Sequence, residues 1–308
     1  MNASWRRSPN VKKRWTHYTS TFAGRLVEGL ESCETACRTL PADPALGVEF
    51  TGYSPFLGIL MTQAWLLVRL GRLDESTAVW DRAESLARAH GDIEVRTWMQ
   101  LPRTEVDILR GDVRAARGRA RVALETGAKA STPQSLWTGP FLTGVVHRLD
   151  GAWNDSIARL EEALGYTMSG GNRMFEGWVR AELALALLGR DQLDRAEEEA
   201  RAAIEGAHAK HCRPDEVRAH LALARTQLRR ADGAALARAE QALVRAQELI
   251  EEIGARAFQP EVHECRAHLA RLRGDAVAAQ REIVAARRLY AEMGASAQVE
   301  RLAKEIGL

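Results

Sequence analysis

The chain has 308 residues, 46% hydrophobic and 27% charged, with 43 basic against 41 acidic side chains for a net charge of +2. So even a balance singles out no polyanionic partner. Four cysteines at irregular spacing (Cys33, Cys37, Cys212, Cys265) form no disulfide framework, which points to a reducing cytoplasm. The longest apolar run, Phe56 to Val68, is interrupted by Thr62 and Gln63 and is too short to span a bilayer, and no signal-peptide pattern opens the chain.

Residues 1–22 carry Arg6, Arg7, Lys12, Lys13 and Arg14 and no acid, so +2 overall less these five leaves −3 for the rest. This polar stretch has no helical period and reads as a disordered basic arm. Trp5, Trp15 and Tyr18 interleave with its charges, yet a short solvated tail is the plainer reading, so nucleic acid is not expected as a partner. Residues 23–308 form the folded part. Leu26, Leu30, Cys33 and Cys37 mark one amphipathic helix, which Pro41 and Pro44 stop.

From there a period of forty residues takes over. Gly71, Gly111, Gly151, Asp191, Ala234 and Gly274 stand 40, 40, 40, 43 and 40 positions apart, each predicted to join two amphipathic helices. Five residues after each comes a small side chain (Ser76, Ala116, Ser156, Ala196, Ala239, Ala279), and twelve after comes alanine (Ala83, Ala123, Ala163, Ala203, Ala246, Ala286). Two small residues about two turns apart share a helix face and let a neighbouring backbone come close. Such a fixed period is the mark of stacked helical hairpins. Six repeats are expected near 55–91, 94–127, 133–171, 173–211, 214–254 and 260–294, closed by a polar capping helix at 296–307. Gly91, Gly171, Gly254 and Gly294 are the expected helix stops. The fold class is therefore all-α, a right-handed α-solenoid.

The segments LGRLDESTAVWDRAESLA (Leu70 to Ala87), LDGAWNDSIARLEEAL (Leu149 to Leu164) and DQLDRAEEEARAAI (Asp191 to Ile204) resemble the turn and second helix of a tetratricopeptide repeat. The period is forty residues rather than the usual thirty-four or so. More narrowly, Pro41 to Ser76 and Gly274 to Leu308 are similar to the helical-repeat region of large bacterial signalling proteins. In those, a class III nucleotide cyclase domain and a P-loop ATPase precede the repeats. The resemblance implies a sensory or scaffold region. It does not carry the catalytic parts, since the chain has no G-x-x-x-x-G-K-[ST] phosphate cradle, no room upstream for a cyclase and no helix-turn-helix after Leu308.

Chemistry-bearing clusters are sparse. His208, His211 and Cys212 gather near one predicted helix end, and His263, Cys265 and His268 lie on another helix. Neither has the convergent spacing of a zinc site, and no nucleophile elbow occurs. No metal, cofactor or enzymatic activity is expected. The aromatic residues say more. In the tetratricopeptide register the inner face of the first helices carries Met61, Trp65, Trp98, Leu101, Glu105, Thr138, Phe141, Arg148 and Trp178, with Arg103 and Arg180 nearby. Exposed rings on a concave face would suit a peptide or protein partner. The alternatives are a closed small-molecule pocket around Trp65, Trp98, Phe141 and Trp178, or a regulatory piece of a cyclase/ATPase protein or transcription regulator. A homo-oligomer stays open.

Overall fold

The structure is a computed structural model that describes residues 19–305. Most of the basic arm and the last three residues lie outside the described part. Among the described residues there are helices and no strands, and none of the helices is long and apolar enough to cross a membrane.

An opening helix α1 (Leu26–Thr39) precedes six hairpins. These pair α2 (Pro55–Arg69) with α3 (Leu73–His90), then α4 and α5 (Ile93–Trp98, Gln100–Arg110) with α6 (Val113–Ala130). Next come α7 (Thr138–Leu149) with α8 (Trp153–Ser169), and α9 (Glu176–Gly189) with α10 (Leu193–Ala209). The last pairs are α11 (Arg213–Arg230) with α12 (Gly233–Ile253) and α13 (Gln259–Leu272) with α14 (Ala276–Glu292), before the terminal helix α15 (Ser296–Glu305).

Small residues set the contacts within hairpins. Ala83, Ala123, Ala163, Ala203, Ala246 and Ala286 are all fully buried, as are Ser76, Ala116, Ser156, Ala196 and Ala239. Ser76 donates its hydroxyl to the carbonyl of Ala64, and Ser156 does the same to Gly144, each at 2.8 Å and twelve residues back. At Gly144 a Cβ would stand 2.7 Å from Leu160, so only glycine lets these helices approach so closely.

Helix ends follow the same period. Gly91, Gly171, Gly254 and Gly294 all adopt the left-handed conformation. Ser131 and His211 hold that conformation at the equivalent places of two other repeats, and Asp191 and Ala231 hold it at the turn within the hairpin. The fifth turn thus centres on Ala231 and not on Ala234, which lies inside α12. The three extra residues of that repeat lengthen the second helix to 21 residues.

Proline shapes the first helices of the second and third repeats. Pro102 and Pro140 lack the N–H that would bond back four residues and crowd the carbonyl there. The helices accordingly break at Met99 and Trp137, three residues ahead of each proline. Both break residues are buried.

The stack bends until its ends meet. Gln298 of α15 donates to the carbonyl of Ile108 at 3.3 Å, across 190 residues. Val68, Leu73 and Val106 share a buried cluster with Leu289 and Met293, and Leu109 packs against Ile283, Tyr290 and Leu302. Leu26, Leu30 and Cys33 of α1 lie in one cluster with Leu66, Leu249, Ile250 and Phe258, so α1 is wedged into the seam. A Cβ on Gly24, where φ is +77°, would come within 2.5 Å of Ile253. The solenoid is a closed ring of hairpins.

Candidate functional site

Closure turns the concave face into a lumen. The first helices of all six repeats, together with α14 and α15, surround a cavity of about 270 Å³.

One side of it is backed by an aromatic cluster, of which Phe141 and Trp178 line the cavity. Trp65 stacks parallel to Phe175 with centroids 6.1 Å apart and tilts against Trp178 at 5.7 Å. Trp137 stacks on Phe175 at 4.5 Å, and Phe141 stands edge-on to Trp178 at 4.8 Å. Phe22 completes the cluster, edge-on to Trp65 at 6.0 Å and to Phe175 at 5.4 Å. Ser20, Thr21 and Phe22 are buried and residues 19–23 are helical. The end of the segment read as a free arm is therefore part of the core. A single phenylalanine after a polar stretch carries no periodic signal, which is why composition alone misplaces it.

The remaining wall mixes aliphatic side chains with ion pairs. Arg148 pairs with Glu182 at 2.8 Å, Arg225 with Glu261 at 2.9 Å and Arg301 with Glu264 at 2.8 Å, each joining neighbouring elements of the ring. A fourth pair crosses the lumen, from Arg218 of the fifth repeat to Glu105 of the second, and Glu105 also accepts the indole hydrogen of Trp65. Arg218 lies over the Trp178 ring at 4.5 Å and the Phe258 ring at 4.8 Å. Arg69, 1% exposed, lies over Trp65 at 5.0 Å and donates to the carbonyl of Thr21 at 3.4 Å. Burial drives both guanidiniums below their ordinary pKa, and Arg69 itself lowers that of Arg218.

The residues singled out from the sequence divide in two. Leu101, Glu105, Phe141, Arg148 and Trp178 line the cavity, and Trp65 touches it through Glu105 and Trp178. Met61 belongs to a separate cluster with Phe56 and Trp80, and Trp98 packs on Tyr53 at 5.0 Å beside it. Arg103 lies over Trp80 and Arg180 pairs with Glu176 and Glu199, so neither reaches the lumen. Thr138 is fully buried. Trp65 and Trp178 are 1% and 3% exposed, so they are not rings displayed on an open groove.

Arg69, Trp137, Phe175, Arg218 and Phe258 were not singled out. Trp137 had a readable cue in its place three residues before Pro140. Arg69 had another, as the single charge of its helix, Pro55–Arg69.

Among the described residues no group of three or more His, Cys, Asp or Glu could hold a metal ion. His208 contacts Glu216 at 3.3 Å, while Cys212 is buried and its thiol pushed up to about 12 by desolvation.

No family model matches the chain, and no curated protein matches it in sequence. Solved structures do resemble it. The human IFIT1 dimer with m7Gppp-AAAA superposes with a TM-score of 0.50 at 15% identity, covering 96% of this chain and 64% of that one. A Signal Transduction ATPase with Numerous Domains protein with a tetratricopeptide repeat sensor, from Pyrococcus horikoshii, gives 0.44 at 14% identity, covering 95% and 43%. The chain thus spans less than two thirds of either. At such identity the likeness to the human structure is one of fold: an all-α helical-repeat solenoid of the tetratricopeptide type.

Proposed function

We propose that this solenoid is a non-enzymatic sensory module that recognises a small molecule inside its ring. The observation that carries this reading is closure: a repeat stack whose ends touch, from Ile108 to Gln298, has a central cavity, partly open to solvent, where an open stack would have a groove. Ligand pockets typically run from about 300 Å³ upward and combine apolar walls with a few convergent polar groups. The lumen, at about 270 Å³, falls just below that size, has that mixed lining, and has no room for a helix. Peptide capture on the inner face, the other expectation, lacks this support because the anchor rings are already packed against one another.

The similarity of Pro41–Ser76 and Gly274–Leu308 to the repeat region of cyclase–ATPase signalling proteins supports a place for such a module in signal reception. Binding would be read out through the six hairpins that share the chamber wall.

The test uses Leu185, a half-buried residue of the wall. Leu185→Trp should fill the chamber, and because Leu185 also packs against the cluster of Ala184, Ala203 and Ala222, a melting temperature close to the parent's without ligand is the check that its fold is kept. Metabolite extract from the native host should raise the melting temperature of the parent protein and leave that of the variant unmoved. Equal shifts in both proteins, or a shift produced only by the macromolecular fraction, would overturn the reading.

A further inference from the structure

Resting on that reading, we infer that the ligand is a small organic anion, its carboxylate or phosphate held between Arg69 and Arg218 and its apolar body lying against Phe141, Val145 and Trp178. The polar atoms of cavity-lining residues that are buried and lack a hydrogen-bond partner are Nε and Nη2 of Arg69, Nε of Arg218 and Nε1 of Trp178. All of them are donors. A buried donor left without an acceptor is a standing penalty that native structures rarely tolerate without a reason. A group offering acceptors is what these donors lack, whereas an ammonium or a second donor satisfies none of them.

The charge count agrees. Two guanidiniums stand close enough to disfavour each other, and one carboxylate, Glu105, is bonded to Arg218 and shared with Trp65. Asp215 is the acid that acts on Arg69, but it makes no ion pair with it within 4 Å, and its Oδ2 has no hydrogen-bond partner. Desolvation also raises its pKa to about 6, despite Arg69 and Lys210, so its charge is weakly held. Like Arg218 with Glu105, the other arginines lining the chamber have a carboxylate: Glu182 for Arg148, Glu261 for Arg225 and Glu264 for Arg301. Among the described residues the one arginine of the lining without a carboxylate within 4 Å is therefore Arg69, and the Arg218–Glu105 pair stands with it beside the aromatic side. The planar fork of a guanidinium suits a carboxylate or phosphate, which it binds through two parallel bonds. With room for roughly nine waters by liquid volume, the chamber fits one ring and an acidic headgroup rather than a polymer.

The experiment titrates the full chain, following tryptophan fluorescence and heat, with four probes: 3-phenylpropionate, phenyl phosphate, neutral 3-phenylpropanamide and cationic 3-phenylpropylamine. The acids should bind at least tenfold tighter than the amide, and the amine weakest. The better of the two acids identifies the headgroup. Arg69→Met should erase the preference for the acid while changing amide affinity less than threefold. Should that variant fail to fold, Arg69→Lys, which keeps the charge but not the fork, should reduce the preference severalfold. Amide and acid binding equally well, both blocked by Leu185→Trp, would overturn the anion assignment and leave the chamber reading standing. An acid preference that survives in folded Arg69→Met would overturn it as well. Failure of every probe to bind the folded parent protein would overturn the assignment. If host extract shifts parent and Leu185→Trp alike, the chamber reading itself falls.

Discussion

The ring of Phe22 stands edge-on to that of Trp65, centroids 6.0 Å apart and planes at 80°, so a residue at the edge of a basic arm is a structural member of the innermost cluster. Both rings are almost wholly buried. Phe22→Ala should therefore lower stability by about 3–5 kcal/mol, and Trp178→Ala by a similar amount, since each leaves a cavity among rings that cannot collapse. Denaturant melts of the two variants decide it. Stability within 1 kcal/mol of the parent would mean that these rings are not packed as described.

The hairpin contacts make a second prediction. Ala163 and Ala203 have no exposed surface and lie where two helices touch. Ala163→Trp or Ala203→Trp should overpack that contact and cost about 1–3 kcal/mol or more. Thermal melts unchanged from the parent would refute the register.

Strain at the turns predicts a gain. Ala231 is exposed and holds φ at 58°, a conformation that costs an L-residue roughly 1–2 kcal/mol and glycine little. Ala231→Gly should stabilise the protein by about 1 kcal/mol, a few tenths less if the freer unfolded chain offsets part of it. A fall in denaturation midpoint would show that the backbone there is not left-handed.

Asp215 predicts a pH dependence. Its carboxyl, 2% exposed, titrates near 3.8 in the unfolded chain, but in the fold desolvation raises it to about 6 against the pull of Arg69 and Lys210. The folded state thus holds its proton more tightly. The stability this contributes is fully present below about pH 4 and is lost as pH rises through 6. Asp215→Asn should be more stable than the parent at pH 8, with the difference shrinking toward pH 4. A difference that does not change with pH would exclude the titration.

Much of the architecture could be read because a solenoid repeats its local rules. Ala83 and Ala203 answer to the same requirement, and so do Gly91 and Gly171, so each requirement for a small or left-handed residue recurs six times along the chain. What could not be read is how far the stack curves. Curvature depends on small rotations accumulated over all the hairpins, and whether Gln298 reaches Ile108 is their sum. The candidate site shares that limit. The inner-face register finds Trp65, Glu105, Phe141 and Trp178, but their burial follows only from closure. Arg218 meets Glu105 from across the ring, at a separation with no period to announce it. Trp98 shows the opposite error: it sits just ahead of the break that Pro102 imposes, and that break turns the following residues rather than Trp98 itself toward the centre.

Closure also changes how such a protein comes apart. In a linear array the terminal units each have one neighbour and unravel first, which spreads melting over a series of partly opened states. Here the first and last hairpins lean on each other through Leu73 and Met293, so neither is a terminal unit in that sense. Removing any hairpin breaks two interfaces at once, and unzipping has no favoured starting point. Amide exchange should consequently be protected about as well in the outer repeats as in the middle ones. A ligand gripping opposite walls would then tighten the whole circle rather than one segment of it.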